Sequence, residues 1–586
     1  MAITKELLLT SPWKAVAACS DEQGWGGYWS AFESASKDKQ YAVYEDVFKL
    51  IASIVSVMYK YDPIKKRYRY TPLFEVNGSR SFLPQDLSPE MEEILFEFST
   101  HLDDCILKAK ILDAVWGAKG VHKFEAAKGC IEAYNDCTDL DDMKYHEKLD
   151  CFCRAIDIAI ELRSPPAFII ERLRKTGTKL LAEIDTDKAN AFHIRFFENF
   201  LQIAIEPDEL LLKCENCILS LQKQNDFALQ RDFIFILIEN AKKNKANDCV
   251  TSFEIRIAES YVYQAEAAPN AMSKSHFYQQ AVQAYRRLGM AERANELHKL
   301  LIESQKHIYD EMGTVATSEI EIGKYIQFVK ERVSGKPLFD ALFNLAFICE
   351  LPDLKEFTRQ AFDEENKNPI LDFFTPTYVD SNGKTVATPD FVKNYTSKPR
   401  TEHRVITKVS LFLSIASNAM IFPGVLEIRN EHHISYPLIL DFIKNHPLIP
   451  NGFEQYFARG ITAGFDLDFP LACMCLVTQI ENSLRYIIEQ AGGITSSLDA
   501  NGQQKEKNID VVLEDNHVIE YLGSETVDTL KLLLVDPRLS SLRHSMAHGL
   551  MPYDSLNSHI AVYFWWLVLR IIFTAVDFEK TSRAKS

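Results

Sequence analysis

Residues 542–550 read Leu-Arg-His-Ser-Met-Ala-His-Gly-Leu and join two apolar segments of helical pattern. The stretch combines Arg543, a cation suited to phosphate, with His544 and His548, and imidazoles exchange protons near neutral pH. Gly549 is predicted to end a turn at this point. We therefore interpret the rest of the chain as a helical framework that presents this stretch.

The composition indicates a globular protein of several parts. A chain of 586 residues is too long for one hydrophobic core, and its 47% apolar and 25% charged residues are ordinary for folded domains. The net charge of −17 argues against a surface that coats nucleic acid throughout. A local basic pocket stays compatible with this charge.

The cysteines predict a reducing compartment. Twelve are scattered along the chain, and the apolar run at residues 7–9 is too short for a secretory signal. We therefore expect a cytoplasmic protein. Cys214 and Cys217 form a CxxC pair without a second ligand pair, which favours packed cysteines over a zinc site. No metal and no cofactor is predicted.

One apolar segment raises the question of a membrane. Residues 560–576 are apolar except for Arg570 and Thr574, and they fall short of a full span. An arginine inside a bilayer costs about 2.5–3.5 kcal/mol, so the favoured interpretation is a buried helix of a bundle. A membrane-anchored tail is the alternative, and we do not expect a membrane partner.

The hydrophobic periodicity predicts an all-α fold in four segments. These are an N-terminal helical domain with a small hairpin (1–180), a region of helical hairpins (181–335), a connector (336–402) and a C-terminal helical bundle (403–586). The small and aromatic residues near residues 265–294 resemble one tetratricopeptide-type pair but do not recur, so irregular helical repeats are predicted. Such repeats would offer a scaffold or a partner-binding face.

A short basic-aromatic segment breaks the helical pattern of the first domain. Residues 66–70 (KRYRY) alternate, and Asn77 and Gly78 offer a hairpin turn. The alternation favours a small hairpin with one wet and one packed face. A strand that stacks on nucleic acid is the alternative.

A long helix is predicted at residues 469–490. Pro470 lies near its start, and Gly492 follows its end. Glu481 and Arg485 are four residues apart, so they share a face of this helix and can pair.

The C-terminal third resembles a known family. Arg543, four intervening residues and His548 resemble the Rx4-6H motif of HEPN-domain ribonucleases, which are helical bundles. The AHGL ending at residues 547–550, the upstream helix with Glu481, and residues 460–469 are similar to one branch, which includes the endoplasmic-reticulum-membrane-associated RNA degradation proteins. The resemblance covers roughly residues 400–580. Asparagine usually follows the arginine in the family, whereas this chain has His544.

The resemblance implies metal-independent RNA cleavage, and the residue types suit it. Attack of a 2′-hydroxyl on the neighbouring phosphate needs a proton acceptor, a proton donor and positive charge. Arg543 and His548 are the predicted catalytic residues, with His544 as a second proton carrier or an orienting group. HEPN enzymes commonly pair two copies of the motif, which implies a homodimer whose site combines both copies.

The upstream helix supplies the remaining candidate residues. Glu481 is expected to orient Arg543 or His548, Asn482 to hydrogen-bond substrate, and Arg485 to pair with Glu481. Structural alternatives stand beside these roles. Arg543 could cap carbonyls or pair with Glu481, and His548 could be a satisfied core histidine. Glu481 and Arg485 could form only an intrahelical pair.

Two functions from different classes follow. The first is a regulated endoribonuclease of the defence or toxin type, with a trigger or regulatory protein bound by the N-terminal helices. The second is a non-catalytic RNA- or nucleotide-binding sensor or adaptor built on helical repeats. A second basic cluster, with Arg429, His432 and His433 in a proline-flanked segment, has the wrong spacing for the motif and is interpreted as unrelated to the site.

Overall fold

The structure is a computed structural model that describes residues 3–19, 25–62, 67–76, 79–311, 320–365, 378–380, 383–387, 398–499 and 501–585. It is 73% helical and only 4% strand, which confirms the all-α class. The chain divides into two compact units, residues 1–308 and residues 309–586. The finer division into four segments stays a prediction.

Unit 1 (residues 1–308) is built mainly from helices, most of which contact the next helix along the chain. Its α-helices are α1 (Lys5–Thr10), α2 (Trp13–Ala18), α3 (Trp25–Lys37), α4 (Glu45–Val55), α5 (Pro89–Ser99), α6 (Cys105–Ala118), α7 (Lys123–Cys137), α8 (Tyr145–Glu161), α9 (Ala167–Glu183), α10 (Ala191–Ile203), α11 (Asp208–Lys223), α12 (Phe227–Lys243), α13 (Asn247–Glu266), α14 (Ala271–Arg287) and α15 (Ala291–Lys306). Short 3-10 turns lie at Lys39–Tyr44, Pro84–Asp86 and Thr186–Lys188, and α16 (Ile308–Glu311) lies at the boundary.

Local signals account for several of these helix ends. Ser88 accepts a hydrogen bond from the Met91 amide and Pro89 opens α5, as its Ser-Pro start predicts. Within the region predicted as helical hairpins, α13, α14 and α15 share a small core that includes Ala281 and Tyr285. Cys214 and Cys217 are both buried in α11, in agreement with packed cysteines.

A small hairpin is present in unit 1 and packs onto the helices, but the basic-aromatic strand pairs with residues 58–62 before it and not across the turn predicted at Asn77 and Gly78. Strand β1 (Met58–Asp62) pairs antiparallel with β2 (Arg67–Thr71), and β3 (Glu75–Val76) pairs with β4 (Ser79–Arg80). Lys66 and the predicted Asn77–Gly78 turn lie outside the described residues. The packed face carries Tyr70, whose hydroxyl donates to Asp113 at 2.7 Å.

Unit 2 (residues 309–586) is a helical bundle with two small hairpins. Its α-helices are α17 (Gly323–Val333), α18 (Leu338–Ala346), α19 (Leu354–Glu365), α20 (Lys398–Ile415), α21 (Phe422–Glu431), α22 (Tyr436–Phe442), α23 (Glu454–Phe465), α24 (Phe469–Gln490), α25 (Ile509–Leu513), α26 (Asn516–Leu522), α27 (Ser524–Leu534), α28 (Leu542–Ala547) and α29 (His559–Lys585). Strands β5 (Tyr378–Val379) and β6 (Thr385–Ala387) pair, as do β7 (Ser496–Leu498) and β8 (Gln504–Glu506), and a 3-10 turn spans Tyr553–Asn557.

Helix α29 lies in the core of this bundle. Trp565 Nε1 donates to the Ile461 carbonyl at 3.2 Å, and Arg570 donates to the Cys349 carbonyl at 2.7 Å. A Cβ on Gly464 would lie 2.1 Å from the Trp565 indole nitrogen, so glycine is what lets α23 approach α29. The predicted buried helix is therefore confirmed for residues 560–575.

One interrupted helix passes the length and hydropathy test for a membrane span. Residues Glu402–Glu431 have a mean hydropathy of 1.8, and 44% of the apolar window is buried. Its π-helical segment Ala416–Ile421 accommodates Pro423, which cannot donate the backbone hydrogen bond of a regular helix. A single such helix is weak support for a span, because core helices of soluble proteins pass the same test.

Candidate active site

The stretch that contains the candidate residues forms α28, a short helix held at both ends. It begins after Ser541, whose φ of 48° is left-handed and whose amide donates to the Asp536 carbonyl. Leu542 is fully buried and anchors the first turn. Because a buried side chain follows a fixed turn directly, the direction in which Arg543 leaves the helix is constrained.

The end of α28 is a Schellman motif, as expected for glycine after a helix. Gly549 has a φ of 64°, its amide donates to the Met546 carbonyl, and the Leu550 amide donates to the Ser545 carbonyl at 2.8 Å. The left-handed residue stops the helix one position after His548. The predicted turn at Gly549 is therefore confirmed.

Glu481 of α24 binds two arginines, Arg543 of α28 and Arg485 of its own helix. Arg543 Nε donates to Glu481 Oε2 at 3.0 Å, and an Arg485 terminal nitrogen donates to Glu481 Oε1 at 2.6 Å. The same Arg485 nitrogen donates to the Lys507 carbonyl at 2.9 Å. Glu481 therefore forms more than an intrahelical pair with Arg485. The alternative in which Arg543 pairs with Glu481 is the one present in the structure.

The carboxylate at the centre of this cluster is strongly shielded from water. The Glu481 side chain is 8% exposed, and burial alone would raise its pKa. The hydrogen bonds and positive charges of Arg543 and Arg485 outweigh burial, so the pKa of Glu481 lies below its ordinary value. The group is therefore an anion at neutral pH, and it orients both guanidinium groups.

Arg543 is oriented by the protein but remains open. Its side chain is 41% exposed, and within the described residues its only hydrogen bond is the one from Nε to Glu481. The two terminal nitrogens thus keep their donors for a ligand. A guanidinium presents these donors in a planar fork that matches a phosphate group.

One of the two histidines, His544, lies in α28, and the other, His548, is the C-cap residue that follows the helix. His544 and His548 are both exposed, and their ring centroids are 4.5 Å apart. Residues four apart in a helix share a face, while Arg543 and His544 are about 100° apart around the axis. The alternative of a buried core histidine at position 548 is wrong, because the residue is exposed.

Asn482 is not joined to the cluster by a hydrogen bond within the described residues. Its Nδ2 is buried without a hydrogen-bond partner, as is the Oε1 atom of Gln479 on the same helix. Unpaired buried amides are unfavourable, so a ligand or water near this helix would satisfy them. The predicted contact of Asn482 with substrate stays a prediction.

The second basic cluster is occupied by structural contacts. Glu431 accepts hydrogen bonds from Ser334 and from the Gly335 amide, and His432 Nε2 lies 3.0 Å from the Lys336 carbonyl. Arg429 and His433 are exposed. The segment holds the turn at Ser334–Lys336 in place, in agreement with an assignment outside the site.

Sequence patterns missed several contacts of the cluster. Glu506 lies 3.4 Å from Arg485 Nε, without hydrogen-bonding geometry, and the Lys507 carbonyl caps the same side chain. Both come from the β7–β8 hairpin, and no short-range signal links that hairpin to α24. Unit 1 holds another buried ion pair, Asp113 with Arg154, that the sequence did not reveal either.

No group of three or more His, Cys, Asp or Glu side chains in the described part of the chain is arranged to hold a metal ion. The fold and the cluster define an all-α protein of two helical units, with an open arginine beside two exposed histidines in the second. In comparisons with known proteins, residues 1–168 match a family described as a domain of unknown function, DUF7380. No curated protein matches the chain.

Proposed function

We propose that the chain is a metal-independent endoribonuclease of the HEPN type. The observation that carries the proposal is Arg543, which Glu481 fixes through Nε while neither terminal nitrogen has a hydrogen-bond partner in the described part of the chain. The exposed imidazoles of His544 in α28 and of His548 at its C-cap lie 4.5 Å apart. Together they supply the positive charge and the proton carriers that phosphodiester cleavage needs.

The proposed reaction uses the RNA's own nucleophile. A base removes the proton of a 2′-hydroxyl, the 2′-oxygen attacks the adjacent phosphorus, and the bond to the 5′-oxygen of the next nucleotide breaks. An acid returns a proton to that leaving oxygen. The products are a 2′,3′-cyclic phosphate and a 5′-hydroxyl. His548 carries one of the proton transfers, and Arg543 stabilises the charge on the phosphoryl oxygens.

The site is proposed to be completed by a second copy of the chain. One arginine with its histidines provides half of the groups that a HEPN-like site combines across a homodimer. Large apolar side chains next to the histidines support this placement, because Leu550 is 50% exposed and Tyr553 is 65% exposed. In the proposed dimer they lie at the interface, which brings the two copies of α28 together.

The proposed enzyme is regulated and cytoplasmic. The acidic chain, with its net charge of −17, disfavours indiscriminate attraction of RNA. The helical hairpins of unit 1 are proposed to bind a trigger or regulatory protein, as suits a defence or toxin-type nuclease. The membrane is not a proposed partner.

Cleavage of RNA in EDTA tests the proposal. The full chain should leave 2′,3′-cyclic phosphate ends, and Arg543→Ala combined with His548→Ala should abolish them. The double variant Arg429→Ala with His433→Ala removes another exposed arginine and histidine of the same unit, so it should cut like the wild type. Equal activity of all three proteins, or no cleavage by any, would contradict the proposal. Tight RNA binding without turnover would instead favour the sensor or adaptor.

The dimer is tested separately by sedimentation. Leu550→Glu places a charge at the proposed interface and should shift the chain to the monomer, with a parallel loss of cleavage. A wild-type chain that stays monomeric at the concentrations of the cleavage assay would exclude a composite site.

A further inference from the structure

Within the described residues, the rings of His544 in α28 and of His548, the C-cap residue that follows it, have only each other as partners. Their centroids are 4.5 Å apart with an interplanar angle of 51°, and no hydrogen bond engages either ring within the described residues. Other histidine rings have partners: His446 bonds to the Ile572 carbonyl, His517 to Asp515 and His403 to Tyr378. Four ring nitrogens at the exposed C-terminal end of α28 are therefore available to a ligand.

The spacing of the pair matches that of two imidazoles on one metal ion. With metal–nitrogen bonds of about 2.0–2.1 Å, two imidazoles on a tetrahedral ion have ring centres roughly 5 Å apart. Small rotations of two exposed side chains cover the difference from 4.5 Å. Two histidines four residues apart on a helix are also a recurrent zinc-binding arrangement.

We propose that His544 and His548 chelate a divalent transition-metal ion of the zinc, nickel or copper class. Imidazole nitrogen is a preferred ligand of these ions, and each neutral ring donates one lone pair. The protein supplies two ligands, and water completes the coordination, so the affinity is lower than at four-ligand structural sites. Binding releases any proton held on the coordinating nitrogens.

The charges around the pair permit a cation to bind. Arg543 is the adjacent positive side chain in sequence, and Glu481 compensates it at 3.0 Å. The chain as a whole carries a net charge of −17, which raises the local concentration of cations.

The ion is proposed to inhibit RNA cleavage. A metal that occupies the lone pairs of both imidazoles removes the proton carriers of the site, because a coordinated nitrogen can neither accept nor donate a proton. This second part rests on the proposed ribonuclease function, whereas the binding site itself does not. The ion would act as an inhibitor and not as a cofactor.

Calorimetric titration of the metal-free full chain with zinc chloride tests the site. The wild type should bind one more zinc ion than His544→Ala or His548→Ala. The control His276→Ala removes an exposed histidine of unit 1 and should retain the wild-type stoichiometry. Melting curves of each variant establish that it is folded. Equal stoichiometry and affinity in the wild type and in both pair variants would overturn the proposed site.

A cleavage assay with the same zinc titration tests the inhibition. RNA cleavage by the wild type should fall as the site fills and should return when EDTA is added. Zinc that fills the site without a change in rate would overturn the inhibition. If the chain cuts no RNA but loses a zinc ion on His544→Ala, the proposed function and the inhibition fail together while the metal site stands.

Discussion

Each unit of the molecule contains a buried carboxylate paired with an arginine, and the two pairs differ in how many hydrogen-bond donors of the arginine are exposed to solvent. In unit 1, Arg154 donates to Asp113 through Nε at 3.0 Å and through a terminal nitrogen at 2.5 Å, and its side chain is 6% exposed. In unit 2, Arg543 meets Glu481 through Nε alone and its side chain is 41% exposed.

The surroundings of the two arginines extend this difference. Tyr70 accepts another hydrogen bond from Arg154 at 2.7 Å, and the Tyr59 ring lies 3.6 Å from the guanidinium carbon. The remaining Arg154 nitrogen, Nη1, is closed off from solvent. Arg154 is thus buried and engaged in structural contacts, through which it holds the β1–β2 hairpin against α6 and α8. Arg543 is oriented by the fold and exposed to a ligand, which is why the proposed function is placed in unit 2.

The two carboxylates resemble each other despite this contrast. Burial would raise the pKa of Asp113 and of Glu481, and in each case the arginine partners outweigh burial and lower it. A pKa shift alone would not tell a structural pair from a candidate site. The exposure of the cation makes that distinction.

The largest expected effect on stability comes from breaking the buried pair of Asp113 and Arg154 in unit 1. Asp113→Ala leaves Arg154 as a buried charge without its carboxylate, which should lower the free energy of unfolding of unit 1 by about 3–5 kcal/mol. Urea unfolding followed by circular dichroism measures this change. Asp103→Ala, which removes the exposed partner of Lys14, is the matched control and should change little. A shift no larger than that of the control would mean that the Asp113 pair does not hold unit 1.

Substitution of each arginine by lysine distinguishes the buried, fully bonded Arg154 from the exposed Arg543. Arg154→Lys loses the forked hydrogen bonds and the contact with Tyr59, and should destabilise unit 1 by about 1–3 kcal/mol. Arg543→Lys should cost less than about 1 kcal/mol, because only one hydrogen bond of a half-exposed side chain changes. Thermal unfolding of both variants measures the difference. An equal loss of stability in the two lysine variants would contradict the contrast between the two arginines.

The pH dependence of the Glu481 cluster gives a third test. The folded pKa of Glu481 is lowered, so its stabilising effect is fully present above the unfolded pKa of about 4.3 and is lost as pH falls through the folded value. Glu481→Gln should therefore destabilise unit 2 by about 1–3 kcal/mol at neutral pH. The difference from wild type should shrink below pH of about 4. A difference that stays constant across this range would contradict the ionised, doubly paired carboxylate.

The smallest expected effect concerns the end of α28. Gly549→Ala forces a Cβ into a left-handed backbone with a φ of 64° and open space around it, so only backbone strain of about 1 kcal/mol is added. Thermal unfolding should show a slightly lower midpoint. The control Gly323→Ala also meets open space, but without a positive φ, and should be neutral. Similar behaviour of the two variants would argue against the left-handed turn.

The sequence predicted those elements whose signals are local. Helix α24 has the predicted bounds, since Asp468 caps it, Pro470 lies in its first turn and Gly492 ends it with a φ of 81°. The basic-aromatic strand of unit 1 and the buried helix α29 are likewise present, although the strand pairs with residues 58–62 and not across the predicted turn. In each case the pattern of a few neighbouring residues determines the backbone.

The contacts that define the candidate site are not local, and the sequence predicted them only in part. The pairing of Arg543 with Glu481 was one of several alternatives, because both helices were expected but not their spacing. Arg485 meets the Lys507 carbonyl across 22 positions, and Arg154 meets Asp113 across 41. Such contacts depend on how whole helices pack, which periodicity does not specify. The exposure of His548 likewise follows from the packing of α28 on α24.

The affinity of the full chain for a 2′-O-methylated RNA oligonucleotide tests the central claim most directly. Such an RNA lacks the nucleophile and binds without being cut, so anisotropy at fixed salt reports phosphate recognition alone. Arg543→Ala should weaken binding about 10-fold or more, because a charged hydrogen bond to phosphate contributes about 1.5–3 kcal/mol. Arg429→Ala should bind like the wild type. Equal affinity of the wild type and Arg543→Ala, with both proteins folded, would contradict the assignment of Arg543 to an RNA site.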